Sequence, residues 1–380
     1  MSYTVLARRY RSQTFDDVVG QQAVAQTLKN SIEQNRVAHA YLFIGTRGVG
    51  KTSMARIFAK ALAGGTPDAD NAIMAGRDTD VIEIDAASNN SVENARDLIA
   101  NSIYRPMRGK YKVYIIDEVH MLSPSAFNAL LKTLEEPPDY VKFILCTTEA
   151  HKLPATIVSR CQQFEFRNIS VAEITEHLNS VCARENYPAD PDLLHAVARL
   201  ANGSMRDALS LLDRVIAASP KGQRLTLALL EQLLGLPKRQ LVNDLVGALA
   251  AGDPAAALAA ADALSSQGAA LDQLLDSLIE RFHDLMLISV CGPETALVQT
   301  TPETRRELVQ QAKNFDAAGL VHMIALCEHL QRNARSSMAP RAIMDALIVR
   351  LAMTEKIADL TALITAAPAA TQGPPPPKKA

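Results

Sequence analysis

Gly45-Thr46-Arg47-Gly48-Val49-Gly50-Lys51-Thr52 carries the spacing G-x-x-x-x-G-K-[ST]. Glycines at these offsets let backbone N–H groups close around phosphate oxygens, and a helix starting just after them adds positive potential. Lys51 is placed to reach the β- and γ-phosphates of a nucleotide, and Thr52 to ligate Mg²⁺. The apolar run 41–44 precedes the loop, and a helical pattern beginning Thr52-Ser53-Met54-Ala55 follows it. A second motif, Val113-Tyr114-Ile115-Ile116-Asp117-Glu118, is an apolar strand ending in two acids. Asp117 suits the Mg²⁺ shell, and Glu118 suits a general base that polarises an attacking water. A phosphate loop of this kind is expected to have these acids on a neighbouring strand. A third strand pattern, 143–146, runs into Thr147-Thr148-Glu149. The C-terminal ends of parallel strands face the ligand. Thr148 is the better placed threonine to sense a γ-phosphate or hold a water, although a plain strand cap explains it as well.

Positioning these groups takes a parallel sheet. Short apolar runs at 41–44, 81–84, 113–116, 143–146 and 163–166 alternate with helical patterns, as in α/β sheets covered on both faces. One helix is well marked. Ser123 is its N-cap, Pro124 its first residue, and Phe127, Leu130, Leu131 and Leu134 form one apolar face before Pro137 and Pro138 stop it. Beyond about residue 168 the strand signal disappears. Residues 171–220 read as three helices, one opening near Ser204, and from 226 the chain is rich in Ala and Leu. Leu271, Leu274, Leu275, Leu278, Ile279, Phe282, Leu285 and Met286 form a helical stripe, as do Leu320, Met323, Ile324 and Cys327. Such stripes are packing faces between helices.

These motifs, together with Ser159-Arg160-Cys161 and Gly203-Ser204-Met205-Arg206-Asp207, resemble the AAA+ ATPases. More narrowly, LARRYRSQTFDDVVGQ, HAYLFIGTRGVGKTS, KVYIIDEVHMLSPSAFNALLKTLEEPP, KLPATIVSRCQQF and GSMRDALSLLD resemble the bacterial DNA polymerase III clamp-loader subunits of the gamma/tau family. The likeness is dense over 1–220. It implies an α/β P-loop AAA+ core with a parallel sheet over 1–168, an all-α lid over 169–224 and an all-α collar over 225–365. The Pro-rich end, 366–380, reads as a disordered linker. The resemblance makes Arg160 an arginine finger reaching the ATP of a neighbouring subunit, and Arg206 a lid arginine touching ATP in its own site. It places Ala7, Arg11 and Val19 on the adenine side. It implies ATP and Mg²⁺ as ligands, and ATP hydrolysis within the DNA polymerase III holoenzyme, a nucleotidyltransferase complex of the nucleoid-associated replisome. Implied partners are further gamma/tau copies, delta and delta-prime subunits in a pentameric ring, the sliding clamp, primer–template DNA and single-strand-binding protein. Two rivals are a non-hydrolysing architectural subunit and another AAA+ DNA motor such as a branch-migration ATPase. Intact Lys51, Thr52, Asp117 and Glu118 argue against the first, and the SRC triplet with the helical tail against the second. In one respect the chain departs from the family. Its stretch ALAGGTPDADNAIMAGRDTD has no cysteine where a four-cysteine zinc module is usual, so no zinc is expected and Asp68 and Asp70 read as a solvated loop.

Composition bounds the rest. In 380 residues, 39 Lys+Arg against 41 Asp+Glu give a net charge of -2, which excludes a polycation but not a local basic patch. With 4% aromatics and no Trp, base stacking on aromatic platforms is disfavoured. The N-terminus lacks the apolar core of a secretory signal, and no run approaches a membrane span. The five cysteines are scattered without a C-x-x-C pair, which fits a reduced, cytoplasmic protein. Cys161 reads as a small buried hydrophobe, and His120, with no ligand-spaced partner, as structural. Residues 1–60 hold nine Lys/Arg against three Asp/Glu, and 61–100 hold two against eight. The run Arg105–Lys112 adds four cations, so Arg105 and Arg108 are candidates for tracking DNA phosphates, against the commoner reading of a solvated turn.

Overall fold

A computed structural model describes residues 4–353 apart from 64, 90, 221 and 335–338. The chain divides into two compact units, one running to Leu225 and one from Thr226. The Pro-rich segment 366–380 and the end of the expected collar lie outside the described residues.

The first unit is built on five parallel strands: β1 Ala40–Ile44, β2 Val81–Asp85, β3 Lys112–Asp117, β4 Val141–Thr147 and β5 Gln162–Glu165. Their order across the sheet is β2-β3-β4-β1-β5. Among the described residues ten α-helices accompany them: α1 Leu6–Arg9, α2 Gln22–Glu33, α3 Lys51–Ala63, α4 Pro67–Met74, α5 Val92–Ser102, α6 Pro124–Glu135, α7 Ala155–Val158, α8 Val171–Arg184, α9 Pro191–Leu200 and α10 Met205–Ala218. Side chains alternate between the two faces of each strand. Tyr41, Phe43, Ile115 and Ile144 point to the face covered by α2 and α3, where the Tyr41 and Phe58 rings meet edge-on at 4.8 Å. Leu42, Tyr114, Ile116 and Leu145 point to the opposite face, packed on Leu98 of α5 and on Phe127, Leu130 and Leu134 of α6. Burying each of these large side chains contributes about 1.5–3 kcal/mol. β4 is buried along its whole length, as the central strand of a covered sheet should be. β5 is different. It is an edge strand in which Phe164 alone is buried, so the pattern at 163–166 does not mark a strand covered on both faces.

Two further expectations change. β3 is not beside β1, because β4 pairs with both and lies between them. The stretch around Asp68 and Asp70 is the helix α4 rather than a loop. Thr66 caps it by accepting from the Ala69 N–H, Pro67 opens it, and the two acids sit in its first turn, where negative charge suits the helix dipole. The three helices expected over 171–220 are α8 to α10. Ser170 and Glu173 form a reciprocal capping box at α8, and Ser204 caps α10.

The second unit is entirely helical among its described residues: α11 Leu227–Leu234, α12 Arg239–Ala250, α13 Pro254–Ser266, α14 Leu271–Cys291, α15 Pro302–Ala312, α16 Ala317–Ala334 and α17 Pro340–Ala352. The two stripes read from the sequence lie on α14 and α16 and face into this unit's own core. Leu274, Leu275, Leu278, Phe282 and Leu285 are buried there with Leu320, Met323 and Cys327.

No helix among the described residues is long and apolar enough to cross a membrane. Cys291 is exposed, whereas Cys146, Cys161, Cys182 and Cys327 are buried. Burial pushes the Cys161 and Cys182 thiols up to about 11 and Cys327 to about 12, so they stay protonated and unreactive near neutral pH. A maleimide applied to the native chain at pH 7 is therefore expected to label Cys291 first, with the other four reacting only on unfolding. Peptide mass spectrometry reads this, and comparable labelling of Cys161 would contradict the packing described.

Candidate active site

The loop after β1 is held by close contacts that only glycine permits. A Cβ on Gly45 would lie 2.5 Å from the Phe166 carbonyl oxygen. Gly48 has φ +81°, and a Cβ there would lie 1.9 Å from Ser204 Oγ on the lid. Thr46 Oγ1 donates to Asn168 Oδ1 at 2.6 Å, and the Arg206 N–H donates to the Gly48 carbonyl at 3.4 Å. Lys51 opens α3 with 5% of its surface exposed, and its ammonium donates to the Gly45 and Thr46 carbonyls at 2.7 and 2.9 Å. Burial lowers its pKa, while Glu118, the Cys146 thiol and Asp117 oppose the shift.

The acids meet this loop although a strand separates them. Thr52 Oγ1, one residue into α3, donates to Asp117 Oδ2 at 2.7 Å. A hydroxyl and a carboxylate side by side are hard oxygen donors. They fit a small cation that keeps some water and takes its remaining ligands from phosphate. Glu118 follows at φ +47°, ψ 45°, a left-handed backbone rare outside glycine and concentrated at functional sites. Its N–H donates to Asp117 Oδ1 at 3.0 Å, and its carboxylate accepts from Thr148 Oγ1 at 3.2 Å. Thr148 therefore holds the candidate base. Thr147 is buried, with its hydroxyl 3.1 Å from His120 Nδ1.

These groups open on a cleft of about 480 Å³, within the usual range for a ligand pocket. Arg47, Gly48, Val49, Gly50, Lys51 and Thr52 line it with Asp117 and Glu118, and so do Ala7, Arg11, Val19 and Arg206. Gly45 and Thr46 stand behind the loop as acceptors for Lys51. Arg11 is half-buried. Its pKa is lowered by burial first, then by the charges of Arg56 and Arg206, so cations are crowded where a polyanion would relieve them. Four titratable lining residues were not anticipated from sequence: Tyr10, Glu83, Asp85 and His177. Glu83 and Asp85 close β2, and the strand-end rule that picked out Asp117 and Thr148 would have found them. Tyr10 and His177 carry no local signal. Tyr10 sits just after α1 and donates to Glu185 of the lid.

Three predicted residues lie apart. Arg160 is not in the cleft. It pairs with Glu135 at 2.7 Å and donates to the Thr156 carbonyl at 2.6 Å. Arg108 pairs with Asp78, while its N–H and that of Met107 donate to the buried Asp80 carboxylate. Arg105 lies over the Tyr140 ring at 5.5 Å. Lys110 and Lys112 donate to Asn35 and to the Asn101 carbonyl. Every cation of this run has an intramolecular partner, so fastening a turn is sufficient explanation for the charge.

Three family models match the chain. Residues 20–170 match "DNA polymerase III, delta subunit", residues 173–221 the "DNA polymerase III clamp loader subunit, ATPase lid domain", and residues 225–366 "DNA polymerase III subunits gamma and tau domain III". The chain is 45% identical over 299 residues to the DNA polymerase III subunit tau/gamma of Haemophilus influenzae, covering 76% of this chain and 43% of that protein. It is 36% identical over 299 residues to the DNA polymerase III subunit gamma of Buchnera aphidicola (Baizongia pistaciae), covering 76% and 80%. It spans about half the length of several curated relatives that it matches. Among solved structures, the Thermotoga maritima RuvB Holliday-junction branch-migration motor is similar with a TM-score of 0.48 and 18% identity, covering 63% of this chain and 79% of that one.

The contact between Gly48 and Ser204 gives a test of the loop's packing. Gly48→Ala is expected to destabilise the N-terminal unit by about 1–3 kcal/mol through the clash and the positive φ. Ser204→Gly alone should cost only a few tenths of a kcal/mol, because glycine still serves as an N-cap. Together they should be less destabilised than the sum, leaving the backbone strain. Urea unfolding of the four proteins measures this, and strict additivity would count against the contact.

Proposed function

This chain belongs to the DNA polymerase III gamma/tau clamp-loader family, and we propose that it is the ATP-hydrolysing motor subunit of such a loader. In this role it opens the sliding clamp and places it on primed DNA. The observation that supports this most directly is the meeting of Thr52, Asp117, Glu118 and Thr148 at the mouth of the Lys51 loop, while Arg160 stands outside its own cleft.

In this reading the Lys51 ammonium leaves the two loop carbonyls for the β- and γ-phosphate oxygens. The N–H groups of residues 47–52 and the α3 N-terminus take the remaining phosphate charge. Thr52 and Asp117 would hold Mg²⁺, which would neutralise charge developing on the phosphates. Glu118, its carboxylate fixed by Thr148, accepts the proton of the attacking water. Arg206 and Arg11 face the same cleft from the lid and the N-terminal segment, and Ala7 and Val19 line it as the adenine side. Arg160 exchanges Glu135 for the γ-phosphate of a neighbouring copy, which makes hydrolysis depend on assembly. The neighbours are further gamma/tau copies together with delta and delta-prime subunits in a pentameric ring, acting on the clamp and primer–template DNA. ATP then favours the ring state that grips the open clamp, and hydrolysis weakens that state.

Turnover of the reconstituted complex, with and without clamp and primed DNA, tests this. Glu118→Gln is expected to keep ATP binding and lose turnover by about 10²–10⁴-fold. Lys51→Ala should lose binding itself. Arg160→Ala should leave ATP binding by the isolated chain unchanged, yet cut turnover of the assembly by about 10³-fold or more. Wild-type turnover in the Arg160→Ala complex would refute the trans role. A wild-type complex that binds ATP but never turns it over would make the chain an architectural subunit.

A further inference from the structure

The walls of the cleft change in chemistry away from the phosphate loop. Residues 47–52, Asp117 and Glu118 make one part charged and rich in backbone N–H groups. The N-terminal segment and the lid supply another part, and six of their lining side chains are apolar: Ala7, Val18, Val19, Ile169, Met205 and Leu209. Phosphates suit the first part, and a flat uncharged ring system suits the second.

Five side chains of the second part can form hydrogen bonds. Arg11 and Arg206 are cations that only donate. Tyr10 gives its hydroxyl proton to Glu185, and Ser12 gives its own to the Asp17 carbonyl at 3.1 Å. His177 differs from these. Among the described residues it has no hydrogen-bond partner, so both ring nitrogens are uncommitted. It lies midway along α8 and is half-buried. Burial lowers its pKa, and the charge of Arg184, seven residues further along the same helix, adds to the shift. The ring is therefore neutral at pH 7, with one N–H that donates and one bare nitrogen that accepts. A cationic ring would have two donors and no acceptor.

The helix, rather than a bond of its own, sets the ring in place. Just beyond the end of α8, Glu185 accepts from Tyr10 and pairs with Arg9 at 2.5 Å. The lid wall and the N-terminal wall are thereby fastened to each other. A ligand enclosed between them that covers His177 without meeting its nitrogens would leave a polar group unpaired, at a cost in affinity. Adenine can meet them, because its edge carries an amino group that donates beside a ring nitrogen that accepts. The apolar side chains and the two arginines offer that amino group no acceptor.

We infer that His177 is a specificity-determining residue of the cleft, accepting a hydrogen bond from the exocyclic amino group of the nucleobase. This rests on ATP occupying the cleft, and it names the side chain that recognises the base. The phosphate loop alone would hold any nucleoside triphosphate, and His177 adds the preference for a base with an amino group at that edge.

Three probes separate the parts of the cleft. ATP carries everything, purine riboside triphosphate lacks the 6-amino group, and inorganic tripolyphosphate lacks base and sugar. Their dissociation constants are measured on the full chain with Mg²⁺. The wild type is expected to bind ATP about three- to tenfold more tightly than purine riboside triphosphate, the worth of one hydrogen bond. His177→Phe keeps a flat ring without either nitrogen, and His177→Leu is a smaller apolar replacement. Both should bring the two nucleotides to within about twofold of each other, and both should leave tripolyphosphate within about twofold of wild type. Three results overturn the inference: a wild type that does not separate the nucleotides, a preference for ATP that persists in both variants, or an equal loss of all three probes in both variants. The last would make His177 a support for the shape of the lid. Lys51→Ala should weaken all three probes. If it leaves ATP binding at wild-type strength, the reading of the cleft fails and this inference falls with it. If Lys51→Ala weakens ATP while the His177 variants keep the wild-type preference, only the role of His177 falls.

Discussion

One hydrogen bond, from Thr52 to Asp117 at 2.7 Å, joins two elements that are not neighbours in the sheet. Adjacent strands are about 4.8 Å apart, so β1 and β3 with β4 between them stand about 10 Å apart. The phosphate loop therefore cannot meet the acids by strand pairing. The first turn of α3 crosses the gap, and it does so only because Lys51 and Thr52 begin the helix above the sheet rather than extend β1. The rest of the site follows from that crossing. β4, in the gap, brings Thr147, Thr148 and Glu149 directly beneath the loop and beside Glu118. A strand that only filled the middle of the sheet thus becomes the support for the side chains of the candidate site.

The loop itself is fixed from above. Gly45 lies against Phe166, Thr46 is bonded to Asn168, and Gly48 lies against Ser204. All three partners belong to the link out of the sheet or to the lid cap. The glycines thus serve two demands: backbone N–H groups must approach phosphate, and the lid must approach the backbone. The first demand is written in the motif. The second is a property of the folded chain, and it explains why the loop read as binding phosphate also packs on the lid cap.

What could be read from the sequence was local. The phosphate loop, the strand ending in Asp117-Glu118 and the helix capped by Ser123 are defined within about ten residues, and the structure places them as read. The sheet was legible as five strands because central parallel strands are near-continuous apolar runs. Strand order was not, because pairing joins residues as distant as Ile44 and Thr147. This is why β3 was expected beside β1. Arg108 read as a candidate for DNA phosphates or part of a solvated turn, and its partner Asp78 is thirty residues away in the chain. His120 read as structural because no partner lies at ligand spacing near it. Ligand spacing along the chain is a test for metals, whereas the groups that hold this ring come from β4 and the turn beyond it. His177 and Tyr10 enter the cleft from helices whose placement depends on the whole unit.

The crowding of cations gives the cleft its response to a ligand. Arg11 comes from the N-terminal segment, Arg56 from α3 and Arg206 from the lid, and the first is held below its ordinary pKa partly by the other two. Arg56 is balanced by a two-pronged pair with Glu83 at 2.6 and 2.8 Å. Its charge is therefore shared with β2, while Arg11 and Arg206 repel one another across the cleft. A polyanion between them would convert that repulsion to attraction. The relief depends on the distance between the two arginines and the anion. A charge arrangement that sets Arg11 and Arg206 against each other is thereby one that an anion between them would relieve.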